Sequence, residues 1–212
     1  MARAAFALRA SAPKESAVFS AAILAGGQAR RLGGVDKSAL AVGTSSILDR
    51  QLSLLRALTP HILIVAGDAA RAPGVDVPVV ADRLPGAGSL GGLYTALMDA
   101  PTDQVLVIAC DMPFLTAPFL RRLAARGVDV DVAVPRNAAG RHPLCASYAR
   151  GVAGHLKARI ERGDLRVREA LDGLDVRELG PDELAEFDPD GLLLLNVNTP
   201  DDYAKAVKRT AE

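Results

Sequence analysis

Short apolar runs alternate along this chain with stretches in which apolar residues recur every three or four positions. Residues 19–25, 61–66, 77–81, 104–110 and 129–135 have the continuous apolar character of strands buried on both faces. Residues 46–58 carry Ile47, Leu48, Leu52, Leu54, Leu55 and Leu58 close to a helical stripe. Ser45 or Ser46 is available to cap that helix, and Pro60 follows its end. Residues 90–100 predict a helix ending before Pro101, and residues 116–126 one closed by Gly127. Strands and helices in turn predict an α/β fold with a mostly parallel central sheet and helices on both faces. The last third is less regular. There, 143–148 predicts an edge or antiparallel strand, 151–162 and 167–171 helices, 192–195 a short strand and 201–209 a terminal helix. Neither a repeat nor a domain boundary shows.

Composition narrows the class. The 212 residues suffice for one substantial domain, expected over 18–212. Lys and Arg (25) balance Asp and Glu (25), which argues against a general surface for nucleic acid or other polyanions. Any anionic ligand therefore needs positive charge concentrated locally. No apolar stretch reaches membrane-spanning length. Cys110 and Cys145 are too few for a disulfide framework, and they read as reduced thiols of a cytoplasmic protein. Residues 1–17, rich in Ala, Arg and Ser, read as a disordered leader, with a transit peptide also compatible.

The local concentration of charge is found directly after the first apolar run. Leu24-Ala25-Gly26-Gly27-Gln28-Ala29-Arg30-Arg31-Leu32-Gly33-Gly34-Val35-Asp36-Lys37 holds four glycines, two arginines and a lysine. Glycines bring backbone N–H groups close to a ligand, and the cations face phosphate oxygens. The run is not a P-loop, because Val35 and Asp36 separate Gly34 from Lys37-Ser38. It does not supply G-x-G-x-x-G either. Its composition still suits a nucleoside triphosphate.

In open α/β sheets, ligands bind beyond the carboxyl ends of the strands. Asp82, Asp111 and the segment Asn196-Val197-Asn198-Thr199-Pro200 each follow a predicted strand. Asp111 lies in Cys110-Asp111-Met112-Pro113-Phe114, after the most apolar strand, placed to hold a hard cation such as Mg²⁺. Thr116 is the better cap for the helix that follows. A serine-hydrolase elbow around Ser89 fails, since position 87 is alanine. Residues 196–200 also read as a turn leading into a helix.

The pattern L-A-G-G-x-x-x-R-x-G-x-x-x-K, Leu24 to Lys37, resembles the loop of the molybdenum cofactor guanylyltransferases. Cys110-Asp111-Met112-Pro113-Phe114, Arg141-His142-Pro143, Gly163-Asp164-Leu165-Arg166-Val167 and Asn196-Val197-Asn198-Thr199-Pro200 resemble further family segments in the same order. The resemblance implies a Rossmann-like nucleotidyltransferase fold that transfers GMP from GTP to molybdenum-molybdopterin with Mg²⁺. It assigns catalysis to Lys37, Arg31 and Asp111, the last also the metal ligand. It assigns nucleotide and acceptor contacts to Leu24, Ala25, Gly26, Gly27, Lys37, Asp82, Asp111, Arg166, Asn196 and Asn198. His142 falls near the acceptor. Proteins that deliver molybdopterin or mature molybdoenzymes are the implied partners. Cytidylyltransferases of the same group resemble L-A-A-G and D-Q-P, where this chain has Gly27 and Met112, which favours guanine. Val65 stands where relatives often carry an asparagine near the base. A sugar-phosphate nucleotidyltransferase and a non-catalytic nucleotide-binding delivery protein are the remaining alternatives. Ser89 and Gly91 depart from the family's G-P-L-A-G segment.

Overall fold

A computed structural model describes residues 18–25, 40–67 and 75–211. Gly26, Gly27, Arg31 and Lys37, and the 1–17 segment, lie outside the described residues. In chain order the strands and α-helices are β1 (Ser20–Leu24), β2 (Ala41–Val42), β3 (Ser45–Ser46), α1 (Ile47–Arg56), β4 (Ile62–Ala66), β5 (Val79–Ala81), α2 (Gly88–Asp99), β6 (Gln104–Ala109), α3 (Ala117–Arg126), β7 (Val132–Asn137), β8 (Gly140–Arg141), β9 (Cys145–Ala149), α4 (Ala153–Glu161), β10 (Val176–Leu179), α5 (Pro181–Ala185) and α6 (Pro200–Ala211).

The main sheet has the order β10-β7-β9-β6-β1-β4-β5, with β8 folded back onto β7. β1, β4, β5 and β6 are parallel, and β9 runs antiparallel between β6 and β7. Alternate residues of each strand serve opposite faces. Ala21, Ile23, Ile62, Ile64, Leu106 and Ile108 pack with Leu48, Leu52 and Leu55 of α1 and Phe119, Leu120 and Leu123 of α3. Ala22, Leu24, Leu63, Val65, Val105 and Val107 pack with Leu90, Leu93 and Leu97 of α2 and Leu156 of α4. Burial on both faces is why the strands read as continuous rather than alternating apolar runs.

One expectation is met and two are corrected. Residues 145–149 form the antiparallel alternative and not the edge one: β9 fills the middle of the sheet, where Tyr148 and Cys145 are fully buried. Residues 192–195 are not a strand. Leu195 N–H bonds back to the Leu192 carbonyl in a turn that buries Leu193 and Leu194. Residues 167–171 form one 3₁₀ turn, Glu169–Leu171, and not a longer helix. As expected, Ser46 caps α1, its Oγ accepting the Asp49 N–H at 3.0 Å.

Gly127 ends α3 with an ordinary negative φ, so its glycine is not required by a left-handed turn. Close approach requires it instead. A Cβ there would stand 2.7 Å from Gln104 Nε2 and 2.8 Å from Ser147 Cβ, nearer still to Ser147 Oγ. Gln104 Nε2 meanwhile donates to Ser147 Oγ and to the Ala124 carbonyl, tying β6, β9 and α3 together. Gly127→Ala is therefore expected to cost about 1–3 kcal/mol by overpacking. Thermal unfolding checks this, at about 2–4 °C of Tm per kcal/mol for a chain of this size.

Candidate active site

Backbone register builds the site edge. Leu24 at the end of β1 lies opposite Val65 of β4 and Ala109 of β6, while Ala66 lies opposite Ala81 of β5. The bonding continues one residue beyond the strands. Ala25 N–H donates to the Val65 carbonyl at 2.8 Å, Cys110 N–H to that of Leu24 at 3.1 Å, and Asp82 N–H to that of Ala66 at 3.1 Å. Ala25, Asp82 and Asp111 thus leave the sheet along one edge. β1 and β6 also flank the point where the strand order reverses, the crevice that open α/β sheets use for ligands. The Leu24 side chain belongs to the core, so anything the Leu24–Ala25 end offers a ligand comes from its backbone.

Asp82 is fixed on both sides. Its Oδ1 accepts the Leu84 N–H at 3.0 Å and lies 3.0 Å from the Thr95 hydroxyl, which also lies 2.9 Å from the Gly91 carbonyl. A Cβ at Gly91 would fall 2.9 Å from the Leu84 carbonyl oxygen and 3.0 Å from Asp82 Oδ2. The departure at Gly91 from the family segment is thus matched to this close turn. Ser89 is not a cap. It lies exposed inside α2, whose N-cap position is Ala87.

Asp111 is half-buried, two residues past β6. Its carboxylate Oδ1 accepts from Asn196 Nδ2 at 3.2 Å, and its carbonyl accepts the Val197 N–H at 2.8 Å. The C-terminal segment therefore reaches the site without a strand beneath it. Two features hold it there. Val197 is buried with Val42, Ile47 and Ala206, beside Leu40, Phe114 and Tyr203. Thr199 and Asp202 form a capping box at the start of α6: Asp202 Oδ2 accepts from the N–H groups of Asn198 and Thr199 at 3.1 and 2.9 Å, and Asp202 N–H donates to Thr199 Oγ1 at 3.2 Å. The Tyr203 hydroxyl donates to the Ala41 carbonyl at 2.8 Å, joining α6 to the β2–β3 hairpin. Leu40, the first described residue after the glycine-rich run, packs on this cluster and accepts the Ile47 N–H at 3.0 Å.

Other candidates stand apart. Arg166 is exposed, and among the described residues its ion pairs are with Asp164 at 3.7 Å and Glu169 at 2.6 Å. Asp164 also pairs with the buried Arg159. His142 has its pKa lowered, first by burial and then by the nearby charge of Arg168, so its imidazole is neutral at pH 7. Val65 is buried in the core and offers no polar group. Among the described residues no three His, Cys, Asp or Glu side chains converge as a metal cage. Sequence reasoning missed Gln51, a polar residue in the apolar stripe of α1, whose Nε2 donates to the Ala109 and Met112 carbonyls on either side of Asp111. Its signal was there: an amide on a face otherwise made of Ile47, Leu48, Leu52 and Leu55.

Known proteins share this arrangement of sequence and fold. Residues 21–177 match the family described as the MobA-like NTP transferase domain. The chain belongs to that family. It is 34% identical over 191 residues to a probable molybdenum cofactor guanylyltransferase of Chloroflexus aggregans, covering 87% of this chain and 91% of that one. It is 36% identical over 202 residues to a molybdenum cofactor guanylyltransferase of Mesorhizobium japonicum, covering 88% and 93%. The crystal structure of molybdopterin-guanine dinucleotide biosynthesis protein A from Archaeoglobus fulgidus superposes with a TM-score of 0.79 at 26% identity, over 91% of this chain and 98% of that one. Family and fold bear out the expected nucleotidyltransferase and its Rossmann-like sheet. Asn196 and Asn198 lie beyond the matched span, and the contact of Asn196 with Asp111 is seen only in three dimensions.

Two outcomes follow from this geometry. Gly91→Ala should destabilise by about 1–3 kcal/mol, since backbone and a fixed carboxylate must move; thermal unfolding reads it. Asp202 has its pKa lowered, mainly by the Thr199 hydroxyl and, against the opposing effect of burial, by the N–H groups of Asn198 and Thr199 and by Lys205. Its cap therefore stabilises at pH values above the ordinary aspartate value of 3.8 and is lost as pH falls through the lower folded value. Acid unfolding of Asp202→Asn should show a shallower loss of stability below that value than the parent chain.

Proposed function

We propose that this MobA-like transferase carries GMP from GTP to molybdenum-molybdopterin. The terminal phosphate oxygen of the pterin attacks the α-phosphorus of GTP. A new P–O bond forms, the bond between the α-phosphorus and its bridging oxygen breaks, and pyrophosphate leaves with that electron pair. The observation that carries this reading is the joining of Asp111 to the Asn196 side chain and the Val197 backbone. It sets a strand-end carboxylate against the C-terminal segment that resembles the family's acceptor element. The names of the curated relatives support the same assignment.

One carboxylate suits Mg²⁺, which keeps waters and substrate phosphates as its other ligands and does not need an all-protein cage. Asp111 would hold it, and the ion would neutralise charge on the transferring phosphate. Asn196 restrains the Asp111 carboxylate from one side, its Nδ2 donating to Oδ1 at 3.2 Å. Lys37 and Arg31, with the backbone of Gly26 and Gly27, would take the triphosphate, on the strength of their sequence pattern. Asp82 and the glycines that follow it would approach the nucleoside, and Asn198 and Arg166 the acceptor phosphate. The work of the chain is positioning and charge stabilisation. The reaction is assigned to the cytoplasm and to one domain over 18–212. Protein partners that hand over molybdopterin belong to the same proposal.

Transfer of CMP is the second reading, because Val65, buried in the core, offers neither base a polar partner. Each nucleoside triphosphate offered with Mg²⁺ and molybdopterin, with pyrophosphate release followed, separates the two. GTP is the expected substrate; preference for CTP rejects the guanine assignment, and no release with any triphosphate rejects transfer. In the same assay Asp111→Ala should still bind GTP while dinucleotide formation falls by about two orders of magnitude or more. Normal turnover by that variant removes the metal role of Asp111.

A further inference from the structure

Gln51 is the one polar side chain on the buried stripe of α1, among Ile47, Leu48, Leu52 and Leu55, and it is 1% exposed. Such a position favours an apolar residue unless the amide is used. It is used at one end. Nε2 donates to the Ala109 carbonyl at 2.8 Å and to the Met112 carbonyl at 3.1 Å. Both neighbours are acceptors only, so the nitrogen must face them and the amide has one orientation. Oε1 is buried with no partner among the described residues. The side chain is therefore held at this site by its two donors.

Those carbonyls bracket the turn Cys110-Asp111. Ala109 ends β6, and Met112 follows Asp111 directly. One nitrogen clamps both sides of the turn from α1. From the other side the Asp111 carbonyl is held by Val197 N–H, and its carboxylate by Asn196. Asp111 is thus suspended between a helix at the start of the chain and a segment near its end. The Gln51 clamp makes no contact with the carboxylate itself.

We propose that Gln51 is a positioning residue that sets the stance of Asp111 and through it the divalent-metal dependence of nucleotidyl transfer. This rests on the reading of Asp111 as metal ligand. Partners that orient metal ligands commonly change metal affinity when lost, with little effect on the rate once metal is saturating. Leucine at this position would fill the same apolar space and leave two carbonyls without a donor. A glutamate would keep the shape. When ionised it faces two carbonyl oxygens and repels them; when protonated it restores one donor.

The test uses the full chain with three variants, reading Mg²⁺ activation of pyrophosphate release and hydrogen exchange of backbone amides. Gln51→Leu should raise the Mg²⁺ concentration for half-maximal rate by about 10-fold or more, with kcat largely recovered at saturating Mg²⁺. It should also speed exchange at Val197 N–H while the amides of β1 and β4 keep their protection. Gln51→Glu should lie nearer the parent chain at about pH 5 than at about pH 8, because burial raises a carboxyl pKa and the protonated acid is the form that donates. That profile is not expected of a mere packing defect, and this variant carries the test should Gln51→Leu fail to fold. An unchanged activation constant in a folded variant, a kcat loss that saturating Mg²⁺ does not relieve, or unaltered exchange at Val197 overturns the proposal. Asp111→Asn measured alongside identifies which assignment has failed. If it abolishes Mg²⁺ dependence while the Gln51 variants leave it unchanged, only the Gln51 role falls. If Asp111→Asn itself leaves that dependence unchanged, the metal role of Asp111 falls and takes the Gln51 role with it.

Discussion

The alignment of three parallel strand ends is the constraint on which the site depends. Leu24 is opposite both Val65 and Ala109, and the hydrogen bonds from Ala25 and Cys110 extend that register past the last strand residues. Because the side-chain period of a strand is two, a slip of one residue would exchange the two faces of β1 and bury Ala22 and Leu24 against the wrong helices. The two apolar clusters, one on each face, therefore fix the register to a single value. Once it is fixed, Ala25, Asp82 and Asp111 emerge at the same end of the sheet, without any interaction between their side chains being needed to gather them.

The sheet does not place the C-terminal side of the site. The segment from Asn196 to Thr199 is irregular, and its backbone finds partners one at a time. Val197 N–H goes to Asp111, while Asn198 and Thr199 give theirs to Asp202. Val197 itself is buried between α6 and the β2–β3 hairpin, and Tyr203 ties the same two elements together. This small cluster lets a segment 85 residues beyond Asp111 meet it. It also holds Leu40, so the first described residue after the glycine-rich run and the 196–199 segment share one support.

Long apolar strands and stapled helices were legible in the sequence because local pattern and tertiary demand agree there. Residues 20–24, 62–66 and 104–109 are apolar on both faces because helices cover both faces, and Ser46 caps α1 where a serine precedes an amphipathic stripe. Pattern misled where an apolar run serves as an anchor instead of a strand. Leu193 and Leu194 are buried under α3 and α5 by a turn, and four residues of sequence do not distinguish the two uses. β10 passed unnoticed because Val176-Arg177-Glu178-Leu179 is an edge strand with charges that pair with Arg136 and Arg141 across to β7 and β8. Asp82 and Asp111 were legible as acids at strand ends. The clamp from Gln51 and the close approach at Gly91 were not, since both depend on contacts across the fold that no local spacing encodes.

Charge accounting limits which basic residues stand ready for an anionic ligand. With acidic and basic residues equal in number, most arginines of the described surface are committed: Arg122 and Arg126 to Glu183, Arg136 and Arg141 to Glu178, Arg83 to Asp99, Arg209 to Asp190. In the proposed reaction, a triphosphate would draw its countercharge from the 26–39 run or from pairs that give way. Arg166 is suited to giving way. Its side chain is 73% exposed, and its partners Glu169 and Asp164 are themselves partly solvated. Exposed ion pairs of this kind contribute about 0–1 kcal/mol. A phosphate that accepts two charge-assisted hydrogen bonds from the guanidinium outbids them. Arg159 is the opposite case: its guanidinium is buried and holds Asp164. One arginine is structural because it is buried and the other is available because it is not, and Asp164 lies between them.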